Sequence, residues 1–181
     1  NKIDKICYEF IKDNGGYSAP LFYRGFPKSC CTSANHVVCH GMPSPAEFLK
    51  VGDIVNVDVT VEKGGYIGDS SKMYCVGQVS QAAKQLTDAG QQALYRAIAR
   101  VKPGATLGDI GYTIQSFAEQ QQYSVVREYC GHGIGQKMHE EPQVLHYGRP
   151  GTGMKLEEGM IFTIEPMINQ GSRHVKQHDD G

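Results

Sequence analysis

Two stretches of the sequence carry an acidic residue in the middle of an apolar β-strand pattern. Residues 52–61 (GDIVNVDVTV) and 159–168 (GMIFTIEPMI) align at a constant offset of 107 residues, which places Asp58 and Glu165 at the same position. An ionised carboxylate in apolar surroundings is costly unless it is paired or bound to a metal. The matching acids therefore predict a duplicated chain whose two halves contribute to one site. The alternative is a chance similarity between two core strands.

The first of these strands is predicted to form a hairpin with the extended run that follows it. If Lys63 and Gly64 are the two-residue turn, Asp58 and Asp69 face each other directly. Directly opposed residues have Cβ atoms about 4.5–5.5 Å apart. Two carboxylates at that distance repel unless a proton, a basic side chain or a metal ion lies between them. The alternative is a polar strand edge that faces solvent, which the apolar neighbours disfavour.

The remaining elements follow from hydrophobic periodicity and from the glycines and prolines that interrupt it. Helices are predicted at 2–13, at 80–101 and after the N-cap Thr106. Strands are predicted at 53–61, 66–77, 123–129 and 160–168. The glycine-rich stretch 131–135 and most of 136–157 are predicted to be loops. The predicted mixture of helices and strands gives the fold class α/β, in the broad sense that includes α+β.

Composition narrows the class of protein further. The 181 residues carry 18 basic and 19 acidic side chains that are interspersed, which disfavours a nucleic-acid surface. No apolar run approaches the ~20 residues needed to cross a bilayer, and no signal-peptide pattern opens the chain. The six cysteines form no CxxC pair, so reduced thiols and a cytoplasmic location are expected. Neither nucleic acid nor a membrane is an expected partner.

Three histidines are candidates to complete a site with the acids. His132 lies between Gly131 and Gly133, and flanking glycines let the backbone approach a site closely. An imidazole beside several carboxylates is a reasonable metal ligand, although a histidine in a glycine-rich loop is more often a turn residue. His40 and His139 are also candidates, although each fits an exposed loop histidine equally well.

The combined set predicts a metal-dependent hydrolase. One imidazole and three carboxylates form an oxygen-rich donor set. Such a set suits Mn, Fe, Co or Zn, and it differs from the sulfur ligands of a thiolate zinc site. Carboxylates that can bridge suggest two ions about 3.5–4 Å apart, as in two-metal hydrolases. The residues on their own predict hydrolysis of an acyl or a phosphoryl bond, and they leave the choice open. The members of this set are Asp58, Asp69, His132 and Glu165.

At these residues the sequence resembles the methionine aminopeptidase family, in its bacterial type I form. The motifs are NVDVTV with Asp58, GDSSKM with Asp69, EYCGHGIG with His132, HEEPQVLHY with His139 and FTIEPM with Glu165. The similarity runs through essentially the whole chain. It implies the pita-bread (creatinase/aminopeptidase) fold of the M24 metallopeptidases, with two pseudo-symmetric αβ halves, an antiparallel sheet and a dinuclear site. A single catalytic domain is expected, with half-repeats at approximately 1–78 and 79–181.

The resemblance assigns roles to the metal and catalytic residues. Asp58 and Asp69 are implied to bind metal, with Asp69 bridging two ions, and His132 and Glu165 to complete the tighter site. Glu165 is also implied to handle the protons of the attacking water. Two divalent ions are expected, drawn from Co, Mn, Fe, Zn and Ni.

The resemblance also implies a substrate and a pocket for it. His139 is similar to the residue that holds the scissile carbonyl, and His40 to the histidine near the substrate amide. The methionine side chain is implied to bind Tyr23, Phe26, Cys31 and Met138. Pro20 and Met138 depart from the usual cysteine and aromatic residue. The implied reaction removes the N-terminal methionine of nascent chains when the second residue is small. The ribosome is a candidate partner, and a monomer is expected.

The ends of the chain are expected to be short relative to that family. The family's N-terminal helices and its last ligand, a bridging glutamate in a Gln-x-Glu-His-Thr-like strand, have no counterpart here. A weakened second metal site is therefore expected, because substitutes from the terminal loop are disfavoured; these would be His174, His178, Asp179 and Asp180. The alternatives are a non-catalytic or weakly active pita-bread binding module and a prolidase-type peptidase.

Overall fold

The computed structural model describes residues 2–178 of the chain. The helices are α1 (Lys2–Asp13), α2 (Gln81–Ile98) and α3 (Leu107–Gln120). The strands are β1 (Tyr17–Ser18), β2 (Cys31–Ala34), β3 (Ile54–Lys63), β4 (Tyr66–Cys75), β5 (Tyr123–Val125), β6 (Gly131–Gly133), β7 (Glu140–Val144) and β8 (Ile168–Gln170). Two compact units result. The first is formed chiefly by Asn1–Ser80 with Gly135–Met138, and the second by Gln81–Ile134 and His139–Lys176.

The first unit is built around the long antiparallel pair β3–β4. The opposite edge of β3 pairs with β1 near Val61 and with β2 between Val55 and Asp58. The predicted helix at 2–13 is confirmed as α1, and Gly15 follows it with φ +72°, the left-handed conformation that glycine adopts at helix ends. Asp4 of this helix accepts hydrogen bonds from the backbone and the hydroxyl of Ser29, at 2.8 and 2.6 Å, which ties α1 to the segment before β2.

The turn between β3 and β4 differs from the prediction. Lys63 pairs with Tyr66, so the turn residues are Gly64 and Gly65, with φ of +63° and +82°. A two-residue turn that matches the twist of a hairpin needs positive φ at both central positions. Lysine at the first of these positions would be strained, and the predicted Lys63–Gly64 turn is therefore wrong.

The corrected turn changes the partners of the two aspartates. Asp58 lies opposite Ser71, and Asp69 lies opposite Thr60, so the predicted direct pairing of the two acids is wrong. The register has moved by two residues, and side chains alternate between faces with a period of two. Asp58 and Asp69 therefore still share one face of the hairpin, as diagonal neighbours.

The second unit has a core in which α2 packs on α3. Buried alanines recur along α2 at positions 89, 93 and 97, where small side chains let the helices approach. The facing side of α3 buries Ile110, Ile114 and Phe117. The predicted helix at 80–101 ends earlier, at Ile98. The predicted N-cap Thr106 is confirmed: its hydroxyl accepts from the Asp109 N–H while the Asp109 carboxylate accepts from the Thr106 N–H.

Two helix glycines of the second unit should respond oppositely to the same substitution. A Cβ at Gly90 of α2 would meet nothing within 4 Å, whereas a Cβ at Gly111 of α3 would lie 2.3 Å from the Tyr147 carbonyl oxygen. Gly90→Ala should stabilise the chain by about 0.5–1 kcal/mol through lost backbone entropy. Gly111→Ala should destabilise it by about 2 kcal/mol through overpacking. Urea unfolding followed by circular dichroism measures both. Equal effects of the two variants would contradict this packing of α3.

The strands of the second unit differ from the sequence prediction. The predicted strand at 123–129 is confirmed only over β5, which pairs with β8. The predicted loops at 131–135 and 136–157 contain β6 and β7, which pair with each other and have an irregularity between His132 and Gly133. The stretch is rich in glycine because neighbouring backbones lie too close to β6 to leave room for side chains at Gly131 and Gly133.

The predicted buried strand at 160–168 is mostly wrong as a regular strand. Its backbone runs beside β6, with the Thr163 N–H donating to the His132 carbonyl at 2.8 Å. Phe162 forms an isolated bridge to Gly133, and regular pairing begins at β8, whose partner is β5. Pro166 lacks an N–H and cannot donate to a ladder. No helix in the described part of the chain is long and apolar enough to cross a membrane.

Candidate functional site

The first unit holds Asp58 and Asp69 on one face of the β3–β4 hairpin. Asp58 lies in the middle of β3, with Cys31 of β2 on one side and Ser71 of β4 on the other. The hydroxyl of the buried Thr60 donates to Asp69 Oδ1 at 3.0 Å, across the strand pair. Both aspartates are half-buried. Asp58 lies on the central strand of the sheet and Asp69 on the strand paired with it, so the ladder fixes both backbones, and Thr60 fixes the carboxylate of Asp69.

Two further predicted residues lie within electrostatic reach of these acids. Burial raises the pKa of the Cys31 thiol to about 12, and the carboxylates of Asp58 and Asp69 add to that rise. Cys31 is therefore a neutral thiol at physiological pH. Loss of solvation lowers the pKa of His40, while the Asp69 carboxylate opposes that shift. His40 has φ +56°, an uncommon conformation for a residue with a side chain. The first unit thus brings four predicted site residues together.

The other predicted pocket residues also belong to the first unit. Tyr23 begins a short 3₁₀ helix, Tyr23–Gly25, and the Phe26 N–H donates to the Tyr23 carbonyl at 2.9 Å. Met138 is half-buried and ends the segment Gly135–Met138, whose Gly135 carbonyl accepts from the Ile67 N–H of β4 at 2.7 Å. A common methionine pocket formed by these residues stays a prediction.

The second unit holds His132 and Glu165 side by side. The His132 Nδ1 lies 2.9 Å from the Gly133 carbonyl oxygen. Because a carbonyl can only accept, Nδ1 carries the proton and Nε2 presents a lone pair. That Nε2 lies 3.4 Å from Glu165 Oε1, and the His132 side chain is only 11% exposed. Two electron-rich atoms therefore face each other, one on a largely buried ring and the other on a half-buried carboxylate.

This pair needs a positive charge between its atoms, supplied by a proton or by a metal cation. A histidine that binds metal usually donates its other ring N–H to a backbone carbonyl or a carboxylate, which fixes the ring. His132 has that arrangement through Gly133. An imidazole with a carboxylate is also a donor set that divalent ions such as Mn, Fe, Co and Zn accept. The residues of the second unit therefore fit a divalent metal ion.

The glycines around His132 are required by close backbone contacts. A Cβ at Gly131 would lie 2.3 Å from the Thr163 carbonyl oxygen, and a Cβ at Gly133 would lie 2.1 Å from the Glu141 carbonyl oxygen. Real side chains do not fit at such distances. The glycines thus let β6 run between two neighbouring segments, and that placement directs the His132 ring toward Glu165.

Sequence reasoning missed three residues that hold the candidate ligands. Thr163 accepts from the His132 N–H at 3.0 Å and donates to Glu165 Oε1 at 2.6 Å. Thr60 donates to Asp69 Oδ1 at 3.0 Å. The sequence held a signal for both threonines. Thr60 lies two residues after Asp58 and Thr163 two residues before Glu165, and residues two apart on a strand pattern share a face.

The third missed residue, His146, had no signal beyond its place in HEEPQVLHY. Its imidazole is fully buried, and its Nε2 accepts from the Glu165 N–H at 3.2 Å. Burial lowers the pKa of His146 to about 4, so the ring is neutral at physiological pH.

The remaining histidines fall into two groups. The exposed His139 packs its ring edge-on against His132, with centroids 4.4 Å apart. It therefore lies beside the candidate ligand pair of the second unit. His174 and His178 are exposed, and His174 Nδ1 lies 3.8 Å from the Glu128 carboxylate. Asp179 and Asp180, which were also disfavoured as metal ligands, lie outside the described residues.

Comparison with known proteins places this arrangement in a family. The model of metallopeptidase family M24 matches residues 1–180, and the chain belongs to that family. Its similar curated relatives are methionine aminopeptidases. The protein of Rickettsia prowazekii is 55% identical over 172 residues, which cover 95% of this chain and 66% of that protein. The protein of Escherichia coli K12 is 51% identical over 181 residues, covering 99% and 69%. The chain thus spans about two thirds of the length of these relatives.

Solved structures confirm the expected pita-bread fold. The crystal structure of methionine aminopeptidase from Rickettsia prowazekii superposes with a TM-score of 0.97 at 53% identity, covering 99% of this chain and 72% of that one. The enzyme from Thermotoga maritima gives the same TM-score at 38% identity, with the same coverage. A prolidase from Pyrococcus furiosus shares the fold alone, with a TM-score of 0.74 at 24% identity over 91% of this chain and 46% of that one. The resemblance to methionine aminopeptidases is confirmed, whereas the predicted half-repeats stay a prediction.

Proposed function

We propose that this protein is a methionyl aminopeptidase, which removes the N-terminal methionine from nascent chains when the second residue is small. The observation that carries the proposal is the His132–Glu165 pair. Its imidazole nitrogen and carboxylate oxygen face each other, and together they fit a divalent cation. The identity of more than half of the aligned residues to a methionine aminopeptidase supports the choice of an acyl bond over a phosphoryl bond.

The residues that would hold two divalent ions are Asp58, Asp69, His132 and Glu165, with Asp69 as the bridging ligand. Membership of a metallopeptidase family implies divalent metal, and Co, Mn, Fe, Zn and Ni are the candidates. Such ions, when bound, polarise a peptide carbonyl and lower the pKa of water. Thr60 and Thr163 hold Asp69 and Glu165 through hydroxyl hydrogen bonds, which orients the carboxylates before any ion arrives.

The chain's own groups can then move the protons and hold the substrate. Thr163 donates to Glu165 Oε1, and the Glu165 carboxylate would take a proton from the attacking water and pass it to the leaving amine. His139 donates a ring N–H to the carbonyl oxygen as negative charge develops there. His40 binds near the substrate amide.

The methionine side chain would bind Tyr23, Phe26, Cys31 and Met138. A soft, uncharged pocket suits a flexible thioether. Cys31 fits that requirement because its raised pKa keeps the thiol neutral. We further propose cytoplasmic action on nascent chains as a monomer, with the ribosome as a partner.

Peptide hydrolysis tests the proposal. The chain is treated with EDTA, dialysed, and supplied with Co²⁺ or Mn²⁺ before incubation with Met-Ala and Met-Leu peptides of equal length. Methionine release should be absent after chelation and return with metal. Release should be at least about tenfold faster from Met-Ala than from Met-Leu, because a small pocket for the second residue excludes the leucine side chain. Released methionine is measured by mass spectrometry.

A Glu165→Gln variant is the control for a contaminating peptidase, since activity that survives this substitution does not belong to the chain. Tight metal binding without methionine release would instead support a pita-bread binding module. Release from X-Pro dipeptides in preference to Met-Ala would support the prolidase-type alternative. Either outcome would overturn the proposed reaction.

A further inference from the structure

His146 is a buried polar residue that the proposed reaction does not use. It follows β7, whose last residue Val144 is also fully buried, and it is 0% exposed. Its Nε2 accepts from the Glu165 N–H at 3.2 Å, so its Nδ1 carries the ring proton. That Nδ1 has no hydrogen-bond partner among the described residues. An apolar side chain would fill the same space without leaving a buried donor unpaired.

The backbone around Glu165 explains what His146 provides. Residues 161–167 run without a continuous ladder: the Thr163 N–H donates to the His132 carbonyl, and the Met167 carbonyl accepts from the Val126 N–H. Between these two bonds, the Glu165 N–H donates to a side chain instead of a neighbouring strand. The next residue, Pro166, has no N–H to offer. The His146 ring therefore replaces the missing strand partner at the residue that carries the carboxylate.

We infer that His146 is a positioning residue, whose buried Nε2 fixes the Glu165 backbone so that the Glu165 carboxylate meets His132 Nε2 in a geometry that binds metal. Two independent hydrogen bonds then hold Glu165, since Thr163 orients its side chain and His146 its backbone. This inference rests on the proposed role of Glu165 as a metal ligand.

Two variants of His146 distinguish a role in positioning Glu165 from a role in filling space in the core. His146→Leu fills the space and removes the acceptor, whereas His146→Gln keeps an oxygen acceptor near the Nε2 position. Residues that orient metal ligands typically contribute about 10–100-fold to metal affinity. Calorimetric titration with Co²⁺ should therefore show His146→Leu binding about 10–100-fold more weakly than the unmodified chain, with His146→Gln recovering most of the loss. The visible absorption of bound Co²⁺ should change in the leucine variant alone.

A core variant provides the matched control. Ile114→Val alters a fully buried residue that belongs to the α2–α3 core of the same unit. It should lower the melting temperature without weakening Co²⁺ binding. The inference is overturned if the leucine variant folds and binds Co²⁺ as tightly as the unmodified chain. It is also overturned if Ile114→Val weakens binding as much as His146→Leu does.

Nuclear magnetic resonance tests the hydrogen bond without any substitution. In the ¹⁵N-labelled chain, the His146 ring should show a protonated Nδ1 and a scalar coupling between Nε2 and the Glu165 amide nitrogen. A proton on Nε2 would overturn the inference even if every variant fails to fold. If the unmodified chain binds no Co²⁺ while the coupling is present, the proposed function fails and the positioning of the Glu165 backbone stands.

Discussion

Replacing His132 with alanine should weaken Co²⁺ binding by more than about 100-fold. Loss of a residue that only orients a ligand costs about 10–100-fold, and loss of a ligand must exceed that. The Nε2 of His132 lies 3.4 Å from Glu165 Oε1, and removal of the ring leaves the carboxylate without its partner donor. The fold should persist, because the β6 backbone keeps its bonds to Thr163. Isothermal calorimetry with Co²⁺ measures the affinity, and circular dichroism checks the fold.

His174→Ala is the matched control for this loss. His174 is an exposed histidine of the same unit that lies near Glu128. Its removal should leave Co²⁺ affinity unchanged within error. Comparable losses in the two variants would mean that His132 is not a ligand, or that His174 also takes part in the site.

The second large effect is expected at Gly133, where alanine should destabilise the chain by about 3 kcal/mol. The added Cβ would lie 2.1 Å from the Glu141 carbonyl oxygen, and that carbonyl belongs to β7, which pairs with β6. The strands must separate to admit the methyl group. Because His132 is the preceding residue, Co²⁺ affinity should fall together with stability. Urea unfolding of the metal-free chain measures the first effect, and calorimetry measures the second.

Gly68→Ala is the corresponding substitution in an open part of a strand. Gly68 lies in β4, and a Cβ there would meet nothing within 4 Å. This variant should be as stable as the unmodified chain or slightly more so. If Gly133→Ala is equally stable, β6 cannot run as close to β7 as the structure has it.

The fold and the candidate ligands were accessible from the sequence to different degrees. Apolar periodicity predicted α1, and the run of valines predicted β3, because burial on one face leaves a repeating signal. β6 was missed because its glycines reflect close contacts with other segments of the chain, at Thr163 and Glu141. No local pattern contains such information.

The candidate site shows the same division between local and distant causes. The acids were identifiable because a carboxylate in an apolar strand conflicts with its surroundings. Their supports were less visible. Thr163 could have been found from its spacing to Glu165, whereas the bond from Glu165 to His146 joins residues 19 positions apart. Such a bond depends on how the two segments pack.

The two-glycine turn between β3 and β4 keeps Asp58 and Asp69 on one face of the hairpin because the numbers of paired residues add up to an odd sum. Sliding a two-residue turn along the chain by one position changes the sum of paired residue numbers by two, an even step. The paired numbers sum to 129 here, and any other odd sum would leave both carboxylates on one side of the hairpin. A turn of one or three residues in the same sequence would make the sum even and would send one carboxylate to the opposite side. This hairpin can therefore accept a displaced turn more readily than a turn whose length changes by one.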